Sequence, residues 1–180
     1  MNRAARVVLV RGLNVGGYRK FRPAKLAQQL RHLGAINIGA AGTFVIRHRV
    51  ARQQLHDEIA RRLPFDAEIV ICDAADIVSL MGEDVFTRYP ARPDVVRFVS
   101  VLAREPRVEP RLPLTLPSRG RWLLRVLARR DRFVLGLYRR HMKVIGYLGA
   151  LDRLFGVPAT TRNWNTMTAI ANALDPGATR

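Results

Sequence analysis

Two stretches of this chain carry residue types whose spacing could do chemistry, and both point to an anion. The first is Arg11-Gly12-Leu13-Asn14-Val15-Gly16-Gly17, fed by an apolar run from Val7 to Val10. Glycine takes up positive φ without steric cost and lets a backbone approach a ligand closely. Gly12, Gly16 and Gly17 with Asn14 can therefore form a nest of N–H groups, with Arg11 beside it for charge. The stretch lacks the lysine-plus-hydroxyl ending of a P-loop and the spacing of a dinucleotide fingerprint. A tight strand-to-helix connection would need the same glycines for shape alone. The second stretch is Thr160-Thr161-Arg162-Asn163-Trp164-Asn165-Thr166. Read as the first turn of a helix, it offers Thr161 or Asn163 as a cap and Trp164 as a core anchor. Arg162 and Asn165 exceed what a cap requires. The expected site brings the Arg11–Gly17 loop and the Arg162–Asn165 helix start onto one phosphate-like or carboxylate group. Arg11 and Arg162 supply charge, Gly12, Gly16 and Gly17 backbone N–H groups, and Asn14, Asn163 and Asn165 orientation.

The remaining reactive side chains are less suggestive. Cys72 stands at a predicted strand end beside Asp73 and Asp76, which disfavour a thiolate, and reads as a small buried residue. His32, His48, His56 and His141 show no metal-ligand spacing, so no metal site is expected. The adjacent pairs Asp57-Glu58 and Glu83-Asp84 read as solvated caps or turns, not as an acid/base pair.

Charge is the most extreme feature. The chain holds 28 Arg, 3 Lys and 14 acidic residues, a net charge of +17. Residues 1–90 carry 14 basic and 8 acidic residues, and residues 91–180 carry 17 and 6, so the excess is greater in the second half. Such a field attracts polyanions and makes their binding salt-dependent. A codon bias toward arginine would produce the same composition. The densest run is a predicted hairpin with Arg121, Arg125, Arg129, Arg130 and Arg132. An arginine-faced ribbon of this kind can lie along a nucleic-acid backbone, although no aromatic stacking platform accompanies it.

The elements that must position these residues follow from period and punctuation. Residues 4–11 read as a strand buried on both faces. Pro23 opens a helix carrying Leu26, Leu30 and Leu33, which Gly34 ends, with Phe21 and Leu26 spaced as a hydrophobic staple. Ile36–Ile38 and Thr43–Ile46 read as two short strands or one bulged strand, residues 51–63 as a helix stopped by Pro64, and Glu68–Cys72 as a buried strand before a short helix capped by Asp73. This order over residues 4–72 is that of a ferredoxin-like split βαβ unit. Val95–Ala103 reads as a strand interrupted by Arg97 and Ser100. A Pro-rich connection spans residues 104–120. The hairpin has strands 121–129 and 133–138 with Arg130-Asp131 at its turn, and puts Trp122, Leu124, Val126 and Ala128 on one face. Helices are expected near Tyr147–Phe155 and from Asn163 to Leu174. The fold class is α+β: a ferredoxin-like lobe over residues 1–86, with a smaller α/β C-terminal lobe over 87–180 containing the hairpin. No apolar run approaches the ~20 residues that span a bilayer, so no membrane partner is expected. The basic start, the four-residue apolar run after it and the single cysteine point to the cytoplasm.

The pairing of Arg11–Gly17 with Gly156-Val157-Pro158-Ala159-Thr160-Thr161-Arg162-Asn163-Trp164-Asn165-Thr166 resembles the bacterial domain-of-unknown-function family numbered 1697, across essentially the whole chain. The resemblance implies an α+β fold with a ferredoxin-like N-terminal half and no established activity. Two polar clusters typical of that family differ here. Its Gln-Ser-Gly-Asn turn reads Ala40-Ala41-Gly42-Thr43, and its Ser-Lys pair aligns with Val144-Ile145 beside Lys143. If the family site is catalytic, these departures imply an altered or impaired member, since binding survives such losses more readily than chemistry. The leading expectation is therefore a protein that binds a small anionic ligand, with no cofactor. One alternative is nucleic-acid binding through the arginine hairpin. The other is an enzyme acting on a phosphorylated small molecule or nucleotide, for which no general base stands out.

Overall fold

The computed structural model describes residues 4–12, 21–82, 85–90 and 92–175. Among them the chain forms a mixed α/β structure with two antiparallel sheets and five α-helices. It divides into two compact units, Met1–Met81 with Thr166–Arg180, and Gly82–Asn165. The sequence puts one boundary at residues 86/87 and keeps the last helix in the second lobe. The compact units instead divide after Met81 and again within that helix.

In the first unit, β1 (Arg6–Val10) is followed by α1 (Pro23–Gln29), a 3₁₀ turn (Arg31–Leu33), β2 (Ala35–Asn37), β3 (Thr43–Ile46), α2 (Arg52–Ala60), β4 (Ile69–Asp73) and α3 (Ala74–Met81). The sheet order is β2-β3-β1-β4. Pro23 opens α1 without a side-chain cap at Arg22, and Gly34 closes the 3₁₀ turn in the left-handed region at φ 64°. Residues 35–37 and 43–46 form two paired strands, not one bulged strand. One face of the sheet (Val8, Val10, Phe44, Ile46, Ile71) packs with Leu26, Leu30, Leu55, Ile59 and Leu63, and Phe21 joins this cluster where the staple spacing places it. Val7, Leu9, Val45 and Cys72, on the opposite face, are also buried. Each such side chain contributes about 1.5–3 kcal/mol.

Two acidic residues differ from their sequence reading. Glu58 is buried, not solvated, and pairs with His32 and Arg62 at 2.9 Å each. The Asp73 carboxylate accepts hydrogen bonds from Arg6, its cross-strand neighbour, and from Arg52 at 2.9 Å, instead of serving as a helix cap. Asp73 is about half exposed, so the network is a modest term. Asp73→Asn is expected to lower stability by about 1 kcal/mol. A urea midpoint equal to or above wild type would show that the two arginines need no carboxylate there.

In the second unit, β5 (Val95–Leu102), β6 (Leu114–Leu116), β7 (Leu124–Arg130), β8 (Phe133–Arg139), α4 (Val144–Phe155) and β9 (Ala159–Asn163) follow in chain order, and the sheet order is β6-β7-β8-β5-β9. The Pro-rich connection contributes a strand of its own, β6, on the sheet edge. The hairpin turn falls at Asp131-Arg132, one residue later than expected. A register shift between Val126 and Ala128 interrupts the alternation of the first hairpin strand, leaving Leu124 and Val126 buried and Ala128 half-buried. Phe98, Leu124, Val126, Val134, Leu151 and Phe155 form the core. α4 starts at Val144, three residues before the expected start, and stops at Gly156. The last helix, α5 (Trp164–Leu174), gives Trp164 and Asn165 to the second unit and the rest to the first. Met167, Ile170 and Leu174 are its buried residues.

Candidate functional site

Three parts of the second unit meet around one cavity: the start of β5, the end of β8, and the junction where β9 becomes α5. The pairing explains the meeting. β5 lies between β8 and β9, with Val95 opposite Arg139, Arg97 opposite Leu137, and Phe98 opposite Asn163. The cavity of about 200 Å³ is lined on its polar side chains by Arg92, Arg97, Arg140, Asn163 and Asn165, with Trp164 beside them. Among the described residues, no carboxylate lines it.

The three arginines are held differently. Arg97 is half-buried and donates from Nη2 to the Tyr89 carbonyl at 2.7 Å, with its Cζ 5.6 Å from the centre of the Phe86 ring. Phe86 in turn meets Trp164 edge to face, centroids 4.9 Å apart. Trp164 thus acts on Arg97 through Phe86, as a positioning residue. Arg140 is exposed and donates from Nε to the Pro93 carbonyl at 3.2 Å. Arg92 is exposed where its backbone bridges to Val95. Among the described residues none of the three forms an ion pair. The neighbouring carboxylate of Asp94 is taken up by Arg139, with Arg121 at 3.9 Å. An arrangement with three cations, two amides and, among the described residues, no nearby free carboxylate is suited to holding an anion.

The residues singled out in the sequence fall in several places. Asn163 and Asn165 line this cavity. Arg162 does not. The segment read as a helix cap is instead the edge strand β9, and Arg162 sits on it opposite Val99 at 7% exposure. Its Nη1 donates to the Thr161 carbonyl at 2.8 Å, and burial pushes its pKa down to about 10. The hydroxyl of Thr161 meets that of Ser100 at 2.6 Å, a cross-strand contact and not a cap. Trp164 is half-buried, not a full core anchor. In the first unit, the Arg11 N–H donates to the Glu68 carbonyl at 2.9 Å, and Gly12 has φ 76°. Arg11 and Gly12 line a shallow recess with His56, Asp66 and Glu68, whose carboxylates oppose an anion there. Asn14, Gly16 and Gly17 lie outside the described residues.

The hairpin arginines are largely engaged within the unit. The guanidiniums of Arg125 and Arg139 each lie 4.5 Å from the Trp122 ring centre. Arg129 pairs with Glu109 at 2.8 Å, Arg132 donates to the carbonyls of Leu102 and Ala103, and Arg130 donates to the Arg129 carbonyl. Glu109 and Asp94 stand among these cations, and carboxylates already paired there compete with a phosphate backbone. Among the described residues no helix is long and apolar enough to cross a membrane, and no group of three His, Cys, Asp or Glu side chains is placed to hold a metal.

Arg92, Arg97 and Arg140 are the residues that sequence reasoning missed. They are dispersed over 49 positions and share no motif. The local sign is Arg97 itself, a cation inside a mostly apolar strand.

No curated protein matches the sequence. Among solved structures, the conserved bacterial protein SP0830 from Streptococcus pneumoniae is similar in fold, with a TM-score of 0.59 at 18% identity over 95% of this chain and 98% of that one. The family model described as a protein of unknown function, DUF1697, matches residues 3–115, more than half of the chain. The chain belongs to the DUF1697 family.

Proposed function

We propose that this protein binds a small ligand bearing a phosphate or carboxylate group, in the second-unit cavity between β5, β8 and the β9–α5 junction. The observation that carries this reading is the lining itself: Arg92, Arg97 and Arg140 with Asn163 and Asn165, and no acidic side chain among the described residues. Arg97 is the anchor, because a ring and a carbonyl already fix its guanidinium and little rotamer freedom remains to be lost on binding. Exposed Arg92 and Arg140 supply the charge that draws an anion in. In the first unit, the order β2-β3-β1-β4, with helices after β1 and after β3, supports the finer reading of a ferredoxin-like split βαβ arrangement.

Titration calorimetry with inorganic phosphate and with acetate at constant ionic strength tests the reading. Saturable binding of at least one anion is expected, with thermal stabilisation of about 2.7 kcal/mol at a hundredfold excess over Kd. Arg97→Gln and Arg140→Gln should each weaken it by roughly tenfold or more, the loss of one charge-assisted contact. Heats that never saturate, or variants that bind as wild type does, would reject the site.

A further inference from the structure

Resting on the anion-binding reading, we infer a narrower ligand class: a phosphate monoester carried on a small apolar body, such as an aryl phosphate. Two features of the cavity lead there. The first is charge. Three guanidiniums line it without a carboxylate, and none is paired among the described residues. A carboxylate brings one negative charge and two acceptor oxygens. A phosphate monoester brings a charge of about −1.5 to −2 near neutral pH and three acceptor oxygens. Three planar donor forks are matched by the second and only partly satisfied by the first.

The second feature is the rest of the lining. Pro90, Val95, Leu137 and Trp164 complete the cavity wall and offer no charge. Inorganic phosphate would leave these side chains facing water. A ligand with an apolar body would cover them, and removing apolar surface from water is favourable. Volume sets the upper limit. At about 200 Å³ the cavity is below the ~300 Å³ at which clefts for drug-sized ligands begin, so the enclosed body is about the size of one ring. The group that fits is therefore a ring-sized body ending in a dianion.

Calorimetry on the full chain near neutral pH, with phenyl phosphate, inorganic phosphate, benzoate and phenol, decides it. Phenyl phosphate should bind roughly tenfold or more tightly than either inorganic phosphate or benzoate, and phenol should not bind. Val95→Thr, on the same face of β5 as Arg97, keeps the shape of a half-buried β-branched residue but adds a hydroxyl. It should shrink the phenyl phosphate advantage and leave inorganic phosphate affinity unchanged. Arg140→Gln, at an exposed position, should weaken both phosphates. Equal affinities for phenyl and inorganic phosphate would overturn the apolar body while the anion site stands. Benzoate matching phenyl phosphate would overturn the dianion. If no anion binds, the parent reading fails with the inference.

Discussion

Gly136→Ala is expected to destabilise the second unit by about 3 kcal/mol, an overpacking cost at the upper end of the usual range. The glycine is needed for space and not for its backbone angles. It stands in the middle of β8, opposite Phe98 on β5 and Val126 on β7. A methyl group there would lie 2.3 Å from the Arg125 carbonyl oxygen and 2.6 Å from two carbons of the Phe98 ring. The ring could turn aside only within a core where Phe98 is fully buried. The carbonyl could move only with its strand. Urea unfolding measures the effect, and a loss below about 1 kcal/mol would mean that the sheet yields more easily than its packing suggests. Adding Phe98→Leu to the alanine variant should recover only part of the loss, since the clash with the strand remains.

Arg162→Met is expected to leave stability unchanged or to raise it, by up to about 3 kcal/mol. The guanidinium is 7% exposed, and burial lowers its pKa to about 10, well below the usual arginine range, a displacement worth about 3 kcal/mol. The depressed value means that the folded protein holds this proton less tightly than the unfolded chain does. Below pH 10 both states are protonated and the folded state bears the full desolvation penalty. As pH rises above about 10 toward the ordinary arginine value, the unfolded state binds more protons, and wild-type stability recovers relative to the variant. The advantage of methionine should therefore be largest at neutral pH and shrink above about pH 10. Opposing it are the polar contacts of the guanidinium, among them the hydrogen bond to the Thr161 carbonyl, worth about 1–2 kcal/mol. If Arg162→Met loses more than about 1 kcal/mol at pH 7 in urea unfolding, hydrogen bonding outweighs desolvation at this position.

Much of the first unit was legible because its signals are local. A continuous apolar run gave β1, Pro23 and Gly34 bounded the first helical segment, and leucines and isoleucines four apart marked α2. Cys72 is buried, as its apolar neighbours suggest. The failures share a cause. Thr160 and Thr161 are β-branched and fit a strand, yet their hydroxyls also fit a cap, and only pairing with β5 settles which applies. β6 hides between two prolines, where a three-residue edge strand leaves no period to read. The candidate cavity was illegible for a similar reason. Arg92, Arg97 and Arg140 become neighbours through the pairing of β5 with β8, while motifs report only residues close in sequence. The glycine loop drew attention by its composition, but the portion within the described residues, Arg11 and Gly12, shares its recess with Asp66 and Glu68.

The division of the chain sets an order of assembly during synthesis. The second unit is one uninterrupted stretch, Gly82–Asn165, whereas the first is completed only by Thr166–Arg180. Arg47 donates to the Ala173 carbonyl at 3.2 Å, a bond between the earliest and latest parts of the first unit. A ribosome adding about 5–20 residues per second takes roughly 4–17 s to pass through the intervening stretch. During that interval the sheet of β1 to β4 must wait without its last helical segment. The unit that begins first therefore finishes last.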